Sequence, residues 1–115
     1  MRRGDIVTVG LDPVRGSEAS KTRPAVVVSN DAANATAEGL GRGVVTVVPI
    51  TSNVAQVYPF QVLLAAGRTG LNRDSKAKAE QVRSVAVERI GKRIGRLPTD
   101  LVTELDDALR LHLGL

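Results

Sequence analysis

From residue 5 onward, apolar residues come in short runs rich in Val and Ile, punctuated by Gly, Asn, Asp and Pro. Runs of this length with β-branched side chains predict strands rather than helices. Five are expected, at Asp5 to Leu11, Ala25 to Ser29, Val44 to Thr51, Phe60 to Leu64 and Glu80 to Ala86. Turn signals separate them at Asp12-Pro13, Gly39 to Gly43, Gly67 to Gly70 and Asn72-Arg73-Asp74. The 31 to 38 segment, DAANATAE, predicts a short helix.

The pattern changes after Leu97-Pro98. Thr99 is placed to act as an N-cap, Asp100 and Glu104 stand near the positive end of the helix dipole, and Leu101, Leu105, Ala108, Leu109 and His112 recur at helical spacing. This predicts a C-terminal amphipathic helix. Several short strands followed by one helix predict a mainly β fold with α, a small, strongly curved antiparallel sheet or barrel with the helix closing one side. A chain of 115 residues suits a single domain over 1–115 with its own core.

Composition removes several kinds of chemistry. There is no cysteine, which excludes thiol catalysis and disulfides and points to a reducing, cytoplasmic compartment. His112 is the only histidine, so catalysis by two imidazoles cannot be built, and its position in the helical stripe predicts a structural role. Asp106 and Asp107 are adjacent on a helix and face different ways, which is poor geometry for an ion; no metal is expected. Gly67 to Gly70 lacks the lysine of a phosphate-binding loop, and no nucleotide cofactor is expected. No apolar stretch approaches the roughly 18 to 20 residues of a membrane span.

Charge is distributed unevenly. Residues 72–96 carry eight Lys or Arg against three acids, whereas 97–115 carry one against four. The basic segment suits a polyanionic partner, although a solvated charged face would read the same. Tyr58 and Phe60 are the only aromatic residues, too few for a single-strand binder built on many stacking rings.

Two polar positions stand at strand ends. Arg23 precedes Pro24 and so is held extended at the mouth of a valine strand, and Thr51 closes VVTVVPIT with Ser52 and Asn53 after it. Singly, each has a structural explanation, a charged gatekeeper and a turn-forming Thr-Ser-Asn. Together with RGDIVTVGLDPVRGSE at 3–18, TRPAVVVSN at 22–30, VVPITS at 48–53, YPFQV at 58–62 and EQVRSV at 80–85, they form a series in one order across nearly the whole chain.

That series resembles the MazF/PemK (Kid) family of toxin endoribonucleases. The resemblance implies an SH3-like or Kid/CcdB-like barrel of about five to seven strands. It also implies a homodimer that cuts single-stranded RNA without metal, and an antitoxin of the MazE type that wraps the toxin. It assigns the main catalytic roles to Arg23, in the family's Arg-Pro, and Thr51, in its Pro-x-Thr. Glu18 matches the acid of a Gly-x-Glu-Gln loop, and Glu80 and Gln81 match an acidic-Gln pair. The chain departs from the family at Ala19, where Gln is usual, and at Lys78, where some relatives carry arginine and its bidentate fork.

The residues suit that chemistry. RNA brings its own nucleophile, the 2′-hydroxyl, so the enzyme need only align it with phosphorus and stabilise charge on the phosphoryl oxygens. A guanidinium binds phosphate through two donors and Thr51 can add another, giving a 2′,3′-cyclic phosphate and a 5′-hydroxyl. Guanidinium is a poor base at neutral pH, which leaves Glu18 or Glu80 as alternatives for proton transfer. Base recognition is expected from Ser17 in the 12–22 loop, Ser52 and Asn53 in the 52–58 loop, and Gln81, beside a basic track of Lys76, Lys78 and Arg83. The rival readings are a CcdB-like toxin that blocks a topoisomerase without catalysis and, more simply, an adaptor barrel.

Overall fold

The computed structural model of the chain describes residues 1–10 and 22–115. Seven strands are present among these residues: β1 (Asp5–Gly10), β2 (Thr22–Val27), β3 (Val44–Thr51), β4 (Gln61–Leu64), β5 (Ser75–Lys78), β6 (Arg83–Ala86) and β7 (Ile90–Arg96). Three α-helices join them: α1 (Asp31–Leu40), the single turn α2 (Ala66–Thr69) and α3 (Thr99–Leu113). All described pairings are antiparallel, in the order β4-β5-β3-β2-β1-β7, with β6 alongside the first half of β3.

The valine runs are continuous rather than alternating because both faces of the central strands are buried. Ile6, Val26, Val48 and Ile50 enter one core with Leu101, Leu105, Ala108 and Leu109 of α3. Val7, Val9, Ala25, Val27, Val45 and Val47 enter a second core with Ala37 of α1. At about 1.5–3 kcal/mol per fully buried aliphatic side chain, these strands carry most of the stability.

Helix α1 forms despite its Asn and Thr because it is well capped. Asn30 accepts a hydrogen bond from the Ala33 amide at 2.8 Å, and Gly41, at φ 65°, ends the helix in the left-handed conformation. Buried Asn34 donates to the Ser29 carbonyl at 2.9 Å, and Ser29 links this end of α1 to β3 by accepting the Thr46 amide at its Oγ, 3.0 Å.

The structure revises several expectations. The segment expected as one strand, Glu80 to Ala86, splits into a 3-10 turn at Ala79–Gln81 and the shorter β6. Strands β5 (SKAK) and β7 (IGKRIGR) carry too few apolar residues to register as strands in the sequence. Pro98, not Thr99, occupies the N-cap position, without a side-chain bond. His112 is exposed rather than part of the packed stripe. The apolar contact of α3 ends at Leu109, and residues 110–115 are exposed beyond it.

The sheet curves strongly but does not close into a barrel, and its end strands are β4 and β7. The gap is bridged by backbone packing: a Cβ added to Gly95 of β7 would lie 2.1 Å from the Thr69 carbonyl oxygen at the end of α2. Only glycine permits that approach. At the same end of β7, the buried Asp5 carboxylate takes Arg96 at 2.5 Å and Arg93 at 3.7 Å, and accepts the Arg2 amide at 2.8 Å.

Gly95→Ala should therefore lower stability by about 1–3 kcal/mol through steric displacement. Gly39→Ala, in α1 with open space around the new methyl, should raise it by about 0.4–1 kcal/mol. Urea denaturation of the two variants checks both signs. A second expectation concerns the exposed pair Arg68–Asp100, 2.7 Å apart. The hydrogen bond from Arg68 holds the Asp100 carboxyl below its ordinary range. Its contribution is thus present above the ordinary carboxylate pKa and is lost as pH falls through the lowered one. Arg68→Ala should raise the Asp100 midpoint, followed by NMR titration, back to the ordinary range.

Candidate functional site

The β2–β3 ladder pairs Val27 with Val47, Val26 with Val48 and Ala25 with Pro49. Pro24 and Pro49 have no amide to donate, so the ladder gives out at this end. The same register continued by two residues sets Arg23 opposite Thr51. Both side chains line one open cavity of about 630 Å3 at the end of these strands, together with Ser52. Residues 28 positions apart in sequence are thus brought together by strand pairing, with a rigid valine ladder behind them.

The cavity is basic. Arg73, Lys92 and Arg93 line it with Arg23, and no carboxylate or imidazole does so among the described residues. Arg93 shares Asp5 with Arg96, whereas Arg23, Arg73 and Lys92 have no ion-pair partner among the described residues. Thr8 and Thr22 add hydroxyls to the wall, and Lys92 is set in place by its amide, which donates to Thr8 Oγ1 at 3.2 Å. Thr51 Oγ1 accepts from the Asn53 amide at 3.3 Å, leaving its own hydrogen to donate outward. Such an arrangement binds a phosphodiester and stabilises negative charge that develops on it.

The other expected site residues are placed differently. Glu80 does not line the cavity; its Oε2 accepts from Gln61 Nε2 at 2.7 Å, and its Oε1 is buried with no partner among the described residues. Lys76, expected on a basic track, is buried, and its ammonium donates to the Gln56 carbonyl at 2.5 Å. It braces the 52–58 loop instead of facing solvent. Lys78 is half-buried opposite Gln61, and Gln81 and Arg83 are exposed on the far side of β3 from β2. Asn53 is exposed, its Oδ1 accepting from the Ala55 amide at 3.3 Å. Ser17, Glu18 and Ala19 lie outside the described residues. No group of three or more His, Asp or Glu side chains with metal-binding placement occurs among the described residues.

Sequence reasoning missed Arg73, Lys92 and Arg93. The excess of positive charge in residues 72–96 was the available signal. Which of those cations meet Arg23 depends on β7 pairing with β1 and on the turn before β5, neither of which the apolar pattern discloses.

Residues 2–113 match the family model described as PemK-like, MazF-like toxin of type II toxin-antitoxin system. The chain is 65% identical over all of its 115 residues to endoribonuclease MazF9 of Mycobacterium tuberculosis (strain ATCC 25618 / H37Rv), covering 98% of that protein. Among solved structures it resembles the MazE–MazF complex (Form-II) from Deinococcus radiodurans, with a TM-score of 0.78 and 29% identity over 100% of this chain and 96% of that one. The fold is also that of the Mycobacterium tuberculosis toxin MazF-mt6, with a TM-score of 0.77 at 23% identity, covering 96% of this chain and 97% of the other. These relatives do not favour a CcdB-like role. A toxin of the PemK-like, MazF-like family of type II toxin–antitoxin systems is what the match across nearly the whole chain makes this protein.

Proposed function

We propose that the chain is an endoribonuclease toxin that cleaves single-stranded RNA at the cavity between Arg23 and Thr51. The observation that carries this reading is the meeting of those two side chains in a cavity lined by four cations and no carboxylate among the described residues. The curated relative at 65% identity bears the name endoribonuclease, in keeping with it.

In this reading Arg23 grips the non-bridging oxygens of the scissile phosphate, and Thr51 donates to the same group. Arg73 and Lys92 hold the flanking phosphates. The 2′-hydroxyl attacks the adjacent phosphorus, the P–O5′ bond breaks, the departing 5′-oxygen takes a proton from solvent water, and the products end in a 2′,3′-cyclic phosphate and a 5′-hydroxyl. Alignment by a rigid strand pair supplies proximity, and the fixed cations supply electrostatic stabilisation without a metal. Glu18 stands as the carboxylate that takes the 2′-hydroxyl proton, since Glu80 is engaged with Gln61 away from the cavity. DNA lacks the nucleophile and is bound without being cut. Ser52 and Asn53, following Thr51, contact bases, as do Ser17 and Gln81; Lys78 and Arg83 add to the attraction of the strand.

The active form is a homodimer, in keeping with the exposed Leu111 and Leu113 at the end of α3. An acidic antitoxin of the MazE type covers the basic cavity, as a carboxylate-rich tail competes with RNA for the same cations. The D. radiodurans relative was solved as a MazE–MazF complex. The cytoplasm is the place of action; no described helix is long and apolar enough to cross a membrane.

With EDTA present, the protein should cut a long defined RNA into fragments with cyclic phosphate ends; intact RNA beside folded protein, on a substrate covering all short motifs, would refute the reading. Arg23→Ala and Thr51→Ala should each lower kcat by about tenfold to a thousandfold, the range for removing an oxyanion-type donor. Full activity in both would place the site elsewhere. Arg73→Ala and Lys92→Ala should weaken binding of an uncleavable 2′-O-methyl strand. Each should also lower the slope of log affinity against log salt by about 0.7, one phosphate contact on a single strand.

A further inference from the structure

The two aromatic residues of the chain lie together, and one of them is left in solvent. Tyr58 is 45% exposed. Its ring lies flat against that of Phe60, with centroids 5.4 Å apart and planes 6° from parallel. The ammonium of Lys76 stands 6.0 Å from the Tyr58 ring centre. The backbone is fixed as well: the Tyr58 amide donates to Gln61 Oε1 at 3.1 Å, and its carbonyl accepts the Gln61 amide at 2.9 Å. Gln61 is buried and held in turn by Glu80. The buried Lys76 and the Glu80–Gln61 pair thus share one task, to present a ring that nothing in the fold requires to be exposed.

The location of the ring narrows its use. Lys76 pairs with Thr51 across the β3–β5 ladder, so the platform is anchored directly across from the candidate catalytic threonine. Pro59, next to Tyr58 in the chain, and Leu63 share a cavity with Glu104 and Asp107 of α3, which repel a phosphate backbone. A polyanionic strand therefore reaches Tyr58 from the Thr51 side. A rigid exposed ring loses little conformational freedom on binding, and any unpaired base offers a flat face to it.

We propose that Tyr58, backed by Phe60 and positioned by Lys76 and Gln61, stacks on an unpaired base of the RNA next to the scissile phosphate. This rests on the endoribonuclease reading and adds a base subsite to it. Stacking accepts every base but holds purines more firmly, so this subsite sets affinity and a purine bias at one flanking position, while cleavage itself stays with Arg23 and Thr51.

The chain has one tyrosine and no tryptophan, so its intrinsic emission reports on Tyr58 alone. Titration with a 2′-O-methyl oligoribonucleotide carrying the mapped cleavage sequence should quench that emission in step with binding, followed separately by the anisotropy of a label on the strand. Tyr58→Ala should raise KM by about 5- to 100-fold with little change in kcat and relax the preference at one flanking position; Tyr58→Phe should restore both. Saturated binding with unchanged tyrosine emission would overturn the proposal, as would an unaltered KM and cleavage map in Tyr58→Ala. Loss of dimer or of antitoxin binding with KM intact would assign the ring to a protein interface and overturn it equally. If the unmodified chain cuts no RNA, the endoribonuclease reading fails and the stacking proposal with it; cleavage with any of the former results removes the stacking alone.

Discussion

The pairing of β2 with β3 is the constraint on which the rest depends. These strands are buried on both faces, so their register is fixed by two cores at once, and a slip of one residue would exchange the side chains of both. β3 also carries β6 and then β5 on its other edge, so it pairs directly with three of the other described strands and, through β5, places β4 as well. Where this ladder gives out at two prolines, Arg23 and Thr51 emerge as opposite positions. Their mutual placement is thus inherited from the best-determined part of the fold, and a loop-borne site would lack that precision.

A comparison of magnitudes explains why the charged residues are available for other tasks. Each fully buried valine or isoleucine contributes about 1.5–3 kcal/mol, whereas an exposed ion pair contributes about 0–1 kcal/mol. The aliphatic cores hold the sheet, and pairs such as Arg110–Asp107 add little. Asp5 is the exception. Its carboxylate is buried, the half-exposed Arg96 and Arg93 reach over it, and it also accepts the Arg2 amide, so its charge is compensated from three directions. It fixes β7 to β1 and, by doing so, brings Lys92 and Arg93 to the cavity wall.

The apolar pattern disclosed those elements whose stability comes from burial: β1, β2, β3, β4 and α3 are all legible as valine- or leucine-rich runs. It did not disclose β5 and β7, because SKAK and IGKRIGR owe their strand form to partners far away in sequence. Arg23 and Thr51 were legible from the sequence as strand-end positions, while their pairing as site candidates came from the family resemblance of Arg-Pro and Pro-x-Thr; the fold sets them opposite each other. Lys76 was misjudged as a solvent-facing cation since sequence does not show that a carbonyl at Gln56 awaits its ammonium. The same limit applies to Glu80, whose carboxylate looked available until the fold gave it to Gln61.

A cavity lined by cations and hydroxyls is a poor place to make a nucleophile and a good place to hold one that the substrate already carries. Activating water would require a base or a metal at the phosphorus, and the described lining offers neither carboxylate nor imidazole. Attack by a neighbouring hydroxyl requires mainly that the strand be bent into line and its charge accepted. Well-oriented intramolecular reactions recover about 7–11 kcal/mol from proximity alone, and each fixed donor to a developing oxyanion adds about 2.7–4 kcal/mol. Most of the barrier reduction can thus come from groups whose protonation does not change during the reaction. The proton acceptor still required can then be modest, and a single carboxylate, the role proposed for Glu18, is sufficient. In the function proposed above, a lining of this composition favours RNA over DNA, because it leaves the chemistry to an atom that DNA does not have.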